Sequence, residues 1–423
     1  MQEIKVFKFG GASVNSAIAV RNMVSIVRDY SAERLVVVVS AMGKTTNLLE
    51  TLVPGVPANE GERRRRMEQL RAYHLDIANE LFVDKGHRVF GKLEELFVVL
   101  DMMTARAPSS YNFDYDQTVS FGELLSTTIV AEYLAVCGIA NTWVDARELI
   151  RTDSNYREGH VDWPFTEHNV QQRLLPLLSR GHVVTQGFIG GAINHTTTTL
   201  GREGSDYSAA VLSYCLDAAS MTIWKDVPGF LNADPKYFHD TVKIDEMPYN
   251  EALELAYYGA SVIHPKTVKP IQNKNITLHI KSFVTPQAPG SVVGPFDALR
   301  PATPLYIFKN NQILLSILPR DFSFIAEDNL QTIFATFATL GVKVNLMQNS
   351  ALSFSVCLDD NPILLRQLQE ALAPSFHLRY NDGLQLITVR YHTPDIVERI
   401  VAGRPILLQQ QSRVTTQLVV ENR

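Results

Sequence analysis

Residues 35–39 read Leu-Val-Val-Val-Val, an unbroken and largely β-branched run of the kind that is buried on both faces of a parallel sheet. Similar strand-like runs occur at residues 4–9, 183–186, 221–224 and 276–280, and helix-like segments separate them. Strands and helices that alternate in this way form a sheet with helices on its faces. The sequence therefore predicts a doubly wound, mainly parallel α/β domain that binds ligands at the carboxyl ends of its strands.

The composition changes at proline- and glycine-containing segments between about residues 285 and 304, which predict a linker. Beyond it, the predicted elements follow the order βαββαβ of a ferredoxin-like α+β unit, and a shorter echo of that order comes next. The predicted boundaries are 1–290 for the α/β domain and 300–423 for the α+β region, with a first unit at about 312–381 and a shortened second unit at about 383–421 plus a strand at 304–308.

Residues 59–104 have a helical pattern almost throughout and predict a helical insert beside the sheet. Four arginines at 63–66 precede Met67 and Leu70 at helical spacing, so a solvated helix face is favoured over a phosphate or nucleic-acid contact. The chain of 423 residues has a net charge of −5 and no basic stripe interleaved with aromatic residues. Nucleic acid is therefore not expected as a partner.

Three cysteines, Cys137, Cys215 and Cys357, lie far apart in apolar contexts and are expected to be free thiols in a reducing compartment. The chain begins with a predicted strand rather than a secretory leader. No apolar run approaches the roughly 20 residues that a membrane span needs. We expect a cytoplasmic protein that does not enter a membrane.

A glycine pair, Gly10 and Gly11, follows the first predicted strand, and Lys8 lies just inside the end of that strand. Glycine lets the backbone approach phosphate oxygens closely. A helix predicted over about 16–30 would add backbone N–H donors and a dipole that attract negative charge. A glycine pair after a strand also occurs in plain turns, so this segment alone only suggests a phosphate site.

A second anion-compatible segment comes at residues 201–208, after four threonines. Arg202 can bind a carboxylate or a phosphate in bidentate fashion. Ser205 and Asp206 are predicted to cap a helix that begins near Tyr207. A capped polar loop is the alternative, but arginine beside Gly-Ser-Asp at a helix start favours an anionic ligand.

Three further segments are weaker candidates. Thr46 lies just past the second predicted strand, where its hydroxyl could meet a ligand or serve as an ordinary helix N-cap. Glu123 is predicted in the first turn of a helix, where a favourable interaction with the helix dipole would explain a carboxylate. The alternative is that Glu123 faces a cavity and binds an ammonium group. Lys225 and Lys236 flank a turn-rich loop that suits the phosphate tail of a nucleotide, with a plain surface loop as the alternative.

Six segments taken in order resemble the aspartate kinases (aspartokinases) of the amino acid kinase superfamily. They are residues 7–14, 40–47, 121–123, 201–207, 224–236 and 258–265. The resemblance covers about residues 1–283 and, more loosely, the C-terminal region, where these enzymes carry paired ACT regulatory modules. It implies the monofunctional form, because the long dehydrogenase extension of bifunctional members is not seen.

The resemblance implies transfer of the ATP γ-phosphoryl group to the side-chain carboxylate of L-aspartate, the first step towards lysine, threonine and methionine. It implies Lys8 and Asp206 as catalytic residues, Thr46, Glu123, Arg202 and Ser205 as the aspartate site, and Lys8, Gly10, Gly11, Lys225, Asp226 and Lys236 as nucleotide contacts. It also implies Mg²⁺ that arrives with the nucleotide, no separate metal site, and a homo-oligomer formed through the ACT-like region.

The sequence departs from the family pattern at four positions. Ser261 replaces a usual lysine, Ala12 a usual threonine, Lys236 a common arginine and Ala351 a common acidic residue of the effector-binding segment. The feedback effector is therefore left open. Two alternatives also stay open: another amino acid kinase, for glutamate, acetylglutamate or a nucleotide, and a catalytically weakened protein that senses amino acids.

Overall fold

The predicted strands of the first 40 residues are direct neighbours in the folded chain. The computed structural model describes residues 3–238, 240–260, 263–321 and 323–422. Cα distances divide the chain into two compact units. The first comprises Met1–Phe230, Lys243–Ala256 and Ser261–Pro301, and the second comprises Leu231–Val242, Tyr257–Ala260 and Ala302–Arg423.

The strands and helices have the following bounds. The strands are β1 (Ile4–Phe9), β2 (Arg34–Val39), β3 (Asn141–Val144), β4 (Arg151–Thr152), β5 (His182–Gln186), β6 (Ile189–Ala192), β7 (Thr197–Thr199), β8 (Ser220–Lys225), β9 (Phe230–Leu231), β10 (Lys243–Ile244), β11 (Glu246–Pro248), β12 (Thr277–Ser282), β13 (Ser291–Gly294), β14 (Leu305–Pro319), β15 (Val344–Asn349), β16 (Phe354–Asp359), β17 (Phe376–Arg390), β18 (Ile406–Gln411) and β19 (Thr415–Glu421). The helices are α1 (Ala17–Asp29), α2 (Thr45–Glu50), α3 (Glu60–Leu81), α4 (Arg88–Ala105), α5 (Tyr111–Val136), α6 (Ala146–Leu149), α7 (Trp163–Leu178), α8 (Gly204–Cys215), α9 (Tyr249–Tyr258), α10 (Pro265–Asn273), α11 (Glu327–Leu340), α12 (Pro362–Leu372) and α13 (Pro394–Val401).

An eight-stranded, mainly parallel sheet forms the centre of the first unit, in the order β11-β13-β12-β8-β1-β2-β5-β3. β1 has a parallel neighbour on each side, so Lys8 pairs with Val38 of β2 and with Ile223 of β8. The run from Leu35 to Val39 is fully buried, as a central parallel strand requires. The predicted doubly wound α/β fold is confirmed, and the ends of β1, β2 and β8 lie at one edge of the sheet.

Helix α5 runs through the core of the first unit and begins at Tyr111, well before the start predicted at Glu123. That prediction was wrong because Asp116 and Gln117 look like loop residues in the sequence. In the folded chain both are buried and hydrogen-bonded to the backbone N–H groups of Thr199 and Thr197. Long-range hydrogen bonds thus allow polar side chains inside a core helix.

α5 is also the one helix among the described residues with the length and hydropathy of a membrane span. Its most apolar 18-residue window is 83% buried within the protein. Burial in the core of the first unit therefore accounts for the apolar composition of this helix.

The predicted helical insert consists of α3 and α4. Arg63 departs from the predicted solvated face, because it is buried and forms ion pairs with Glu60 of the same helix and Asp101 of α4. The Arg63 Nη1–Asp101 Oδ1 distance is 2.6 Å. This arginine therefore links the two helices of the insert.

The second unit is built on a six-stranded antiparallel sheet in the order β15-β16-β14-β17-β19-β18. α11 and α12 cover its first half and α13 its second half. This confirms the predicted ferredoxin-like α+β arrangement, with one difference. β14 and β17 are continuous strands of 15 residues that serve both halves, where the sequence indicated shorter, separate strands.

The reason for that difference lies in two turn-like segments. Asn311 has a φ of 53° and Gly383 a φ of 64°, both in the left-handed region typical of turns. The pairing of β14 with β17 shifts register between Lys309 and Gln312 but does not end there. Both segments are therefore irregularities inside long strands rather than loops between strands.

Candidate active site

The carboxyl ends of β1 and β2 border a cavity of about 980 Å³ in the first unit. Seven residues that the sequence singled out line it: Lys8, Gly11, Thr46, Glu123, Arg202, Ser205 and Asp206. They come from four separate parts of the chain. The fold therefore brings most of the predicted site together at the edge of the sheet where ligand sites of α/β proteins lie.

Asp206 lies between two lysines at this edge. Its Oδ1 is 2.7 Å from Lys8 Nζ, and its Oδ2 is 3.7 Å from Lys225 Nζ. Asp206 is fully buried. Burial by itself raises the pKa of this carboxyl, but the positive charges of Lys8 and Lys225 outweigh it, so the pKa lies below its usual value. The three side chains form a cluster with one more positive than negative charge.

The start of helix α8 brings Asp206 to this position. The helix begins at Gly204, so Ser205 and Asp206 lie in its first turn. The prediction that they cap a helix beginning near Tyr207 was therefore wrong. Glu203 precedes it in the left-handed conformation, with a φ of 54°. A β-carbon on Gly204 would lie 2.6 Å from the ring of Phe188, so this close approach requires glycine. The N–H groups of the first turn thus lie beside the cavity.

The glycine turn after β1 is fixed by backbone contacts. A β-carbon on Gly11 would lie 2.8 Å from the carbonyl oxygens of Ala41 and Gly43. A four-residue 3₁₀ turn over Gly11–Val14 follows, and only then α1, which Ser16 caps. The 3₁₀ turn thus separates the glycine pair from α1, and the helix N-terminal turns that line the cavity include those of α2 and α8.

Glu123 lies in the middle of α5, so its interpretation as a first-turn residue that matches the helix dipole is wrong. Its side chain is buried and lines the cavity. Oε1 accepts a hydrogen bond of 3.3 Å from the Ala41 N–H, whereas Oε2 has no partner among the residues that the structure describes. Burial raises the pKa of Glu123 to about 8. An unpartnered buried carboxyl of this kind fits a cationic ligand such as an ammonium group.

Thr46 and Arg202 belong to more accessible parts of the wall. Thr46 is the second residue of α2, whose N-cap is Lys44, so the alternative of Thr46 as an N-cap is wrong. Arg202 is exposed. Within the described ranges, no acceptor lies within hydrogen-bonding or ion-pairing distance of its guanidinium group. Arg202 thus offers unused donors to a ligand.

The remaining predicted nucleotide contacts are less closely tied to the cavity. Gly10 directly precedes the lining residue Gly11. Asp226 is exposed just after β8, and Lys236 belongs to the second unit. Neither is a lining residue, and their roles stay predictions. Ser261, which replaces a usual lysine of the family pattern, lies outside the described residues.

Several lining residues have no signal in the sequence analysis. They include Tyr115, Arg157 and Phe188. Arg157 lies in a segment without periodic pattern or glycine signature. A positive φ at Phe188 and Arg157, which could have marked both, is visible only in the folded chain.

The cavity thus combines two kinds of chemistry. Lys8 in the cavity wall and the N-terminus of α8 suit the phosphates of a nucleotide, and Lys225, which is not a lining residue, lies 3.7 Å from Asp206 beside them. Glu123 and Arg202 suit the ammonium and carboxylate groups of an amino acid. No group of three or more His, Cys, Asp or Glu side chains in the described part of the chain is arranged to hold a metal ion.

Comparisons with known proteins agree with this site. Residues 3–282 match the amino acid kinase family. The lysine-sensitive aspartokinase 3 of Escherichia coli is 33% identical over 401 residues, which cover 92% of this chain and 87% of that protein. Crystal structures of E. coli aspartokinase III match with TM-scores of 0.85 for the complex with aspartate and ADP, at 30% identity, and 0.81 for the complex with lysine and aspartate, at 29% identity. Each of these two matches covers 99% of this chain and 96% of the other. The chain belongs to the amino acid kinase family and, within it, to the aspartokinases.

Proposed function

We propose that this protein transfers the γ-phosphoryl group of ATP to the side-chain carboxylate of L-aspartate, which yields 4-phospho-L-aspartate and ADP. One observation carries the proposal: the Lys8–Asp206–Lys225 cluster and the unpartnered carboxyl of Glu123 line or border one cavity. The cluster suits a triphosphate, and Glu123 suits an amino acid. A site with both allows the two substrates to lie side by side.

The lysines would act on the phosphate oxygens. Negative charge spreads over the transferred group during phosphoryl transfer, so cations fixed in advance stabilise the transition state. Asp206 holds Lys8 and Lys225 near each other despite their like charge. It is therefore the organiser of the cluster, and the backbone around Gly10 and Gly11 can approach the phosphates closely.

The acceptor carboxylate needs little chemical activation. An aspartate side chain is already ionised near neutral pH, so no general base has to remove a proton. The task of the protein is to position the substrate. Glu123 would bind its ammonium group, Arg202 a carboxylate, and the hydroxyls of Thr46 and Ser205 would complete the contacts.

The nucleotide would bring Mg²⁺ with it, since Mg²⁺ usually keeps several waters and binds through substrate phosphates. The bound ion would neutralise part of the phosphate charge. Lys225, Asp226 and Lys236 are the proposed further contacts of the nucleotide. Lys225 carries the strongest support of these, because its ammonium group already lies 3.7 Å from Asp206.

A hydroxylamine-trapping assay tests the proposal, because hydroxylamine displaces phosphate from an acyl phosphate to give a hydroxamate, which forms a coloured complex with added ferric ion. The folded protein is incubated with ATP, Mg²⁺ and one of aspartate, glutamate or acetylglutamate. We expect product with aspartate alone. A preference for another acceptor would indicate a different amino acid kinase, and no product above background would support a sensor without catalysis.

We also infer that the second unit is regulatory and forms a homo-oligomer. Its edge strands, β15 and β18, each have one neighbour in the described sheet, and open edges favour pairing with another chain. The lysine complex of the E. coli enzyme makes lysine the first effector to test, followed by threonine and methionine. Light scattering that gives a monomer at all concentrations would contradict the oligomer. A cytoplasmic location stays a prediction.

A further inference from the structure

Arg157 lines the same cavity in an unusual backbone conformation. Its φ is 71°, in the left-handed region that residues other than glycine, asparagine and aspartate adopt rarely. The buried carboxylate of Asp116 fixes this conformation by accepting the Arg157 N–H at 2.9 Å. The same carboxylate accepts two hydrogen bonds from Thr199, at 2.9 and 2.8 Å. The loop that carries Arg157 is therefore tied to α5 and to the end of β7.

The guanidinium group of Arg157 contacts two aromatic rings. It lies 4.4 Å from the ring centre of Tyr115 and 5.6 Å from that of Tyr111. Over the ranges that the structure describes, no carboxylate pairs with it and no oxygen accepts from it. A guanidinium group against a ring keeps its N–H edge free for two parallel hydrogen bonds to a carboxylate.

Arg157 and Arg202 lie on adjoining loops. The Arg157 carbonyl oxygen is 3.3 Å from the position that a β-carbon on Gly201 would take. Gly159 N–H donates to the Thr199 carbonyl at 2.9 Å, which holds the two loops together. Two guanidinium groups that have no carboxylate partner among the described residues thus lie in the wall of one cavity.

We propose that Arg157 is a specificity-determining residue that binds the α-carboxylate of the amino acid substrate, the carboxylate that is not phosphorylated. The inference rests on the proposed function, in which a dicarboxylic amino acid occupies this cavity. Such a substrate has two carboxylates, and the sequence pattern supplies one guanidinium for them, that of Arg202. Arg157 supplies the second, and among the described residues it has no carboxylate partner to lose when the substrate binds.

The test compares three variants with the wild-type protein. Arg157→Gly removes the guanidinium group but suits the positive φ, so the loop keeps its conformation. Arg157→Lys keeps the charge and loses the bidentate geometry. Glu158→Gln is the matched control, because Glu158 is also exposed and lines the same cavity with the opposite charge. Each variant is assayed for kcat and for KM towards aspartate and ATP.

We expect Arg157→Gly to raise KM for aspartate by about tenfold or more, since a charge-assisted contact is lost. KM for ATP and kcat should change less than about threefold. Arg157→Lys should be intermediate, and Glu158→Gln should leave KM for aspartate unchanged or lower it. An unchanged KM for aspartate in Arg157→Gly would overturn the inference. An equal rise of KM for ATP in Arg157→Gly would also overturn it. So would a rise of KM for aspartate in Glu158→Gln as large as that in Arg157→Gly.

Calorimetry keeps this inference separate from the proposed function. Aspartate is titrated into the wild-type protein and into Arg157→Gly, with ADP titration as a check of the nucleotide site. Weaker aspartate binding with unchanged ADP binding supports the role of Arg157, even if the wild type were to form no acyl phosphate. Equal aspartate binding by both proteins overturns it.

Discussion

Charged side chains are buried and paired in one part of the cavity wall, and exposed without a carboxylate partner in another. Lys8 and Asp206 are buried and pair with each other, and Lys225 is close enough to share the carboxylate. Arg157 and Arg202 are exposed and pair with no carboxylate of the described chain. A buried charge is costly unless it is paired, whereas water can solvate an exposed one until a ligand arrives.

This difference predicts that the two groups of side chains affect different kinetic parameters. The buried cluster is organised before any ligand binds, so it can stabilise charge that develops in the transition state and should act mainly on kcat. The exposed guanidinium groups gain partners when the substrate binds and should act mainly on KM. Glu123 combines both features, because it is buried but one of its oxygens has no partner within the described residues.

The sharpest test of this comparison removes the charge of Asp206. Asp206→Asn keeps the shape of the side chain but leaves two lysines near each other without their shared carboxylate. We expect kcat to fall by about 10³-fold, as for loss of a preorganised electrostatic contact. Steady-state kinetics with aspartate and ATP measures the change, and Lys8→Ala should have an effect of similar size.

Asp76, exposed on α3, supplies the matched control. Asp76→Asn should leave kcat within about twofold of the wild type, because surface charges far from special features matter little. A thermal melt establishes that Asp206→Asn is folded. If the folded variant kept a kcat within about tenfold of the wild type, the assignment of the buried cluster to the chemical step would be wrong.

A smaller effect is expected from Glu123, and it depends on pH. Because burial raises the pKa of Glu123 to about 8, the free protein carries a neutral carboxyl at pH 7. An ammonium group binds better to the ionised form, so kcat/KM for aspartate should rise about tenfold for each pH unit up to about 8. The rise is followed from pH 6 to pH 9.

Glu123→Gln shows whether this carboxyl causes the rise. The variant should lose about 10²-fold in kcat/KM at pH 8, the value of a charge-assisted hydrogen bond, and should lose the pH dependence with it. Glu68→Gln, on the exposed face of α3, should retain the profile of the wild type. The same slope in Glu123→Gln would assign the pH dependence to another group.

The elements that the sequence predicted well are those fixed by local pattern. β2 is an unbroken apolar run, and β1 leads directly into a glycine pair, so both could be placed without knowledge of distant residues. Lys8 and Asp206 also lie near the ends of such elements. Residues at the carboxyl ends of neighbouring parallel strands, and in the helices that follow, meet at one edge of the sheet.

The elements that the sequence missed depend on contacts with distant residues. The first turns of α5 contain Asp116, whose hydrogen-bond partner Thr199 is 83 residues away in the chain. Without that partner, the segment looks like a polar loop, so the local pattern predicts Glu123 at a helix start. The position of Arg157 depends on the same carboxylate. One buried aspartate thus accounts for two features that local pattern could not predict.

His74 extends the comparison to a buried titratable group outside the cavity. It is fully buried in α3, where its Nδ1 lies 2.8 Å from the Leu70 carbonyl oxygen. Burial lowers the pKa of His74 from 6.5 to about 4. Unlike Asp206, this side chain avoids the cost of burial by staying neutral rather than by pairing.

The consequence is a loss of stability in acid that leaves activity at neutral pH unchanged. Between pH 6.5 and pH 4 the unfolded chain has bound a proton at His74 and the folded protein has not, so stability falls as the pH falls through this window. From pH 7 to pH 5 the expected loss is about 2 kcal/mol. Urea unfolding at both values measures it, and His74→Leu should lose that part of the pH dependence. His168→Leu, at an exposed position on α7, should keep it. An equal pH dependence in all three proteins would mean that His74 is not the group whose charge state the fold suppresses.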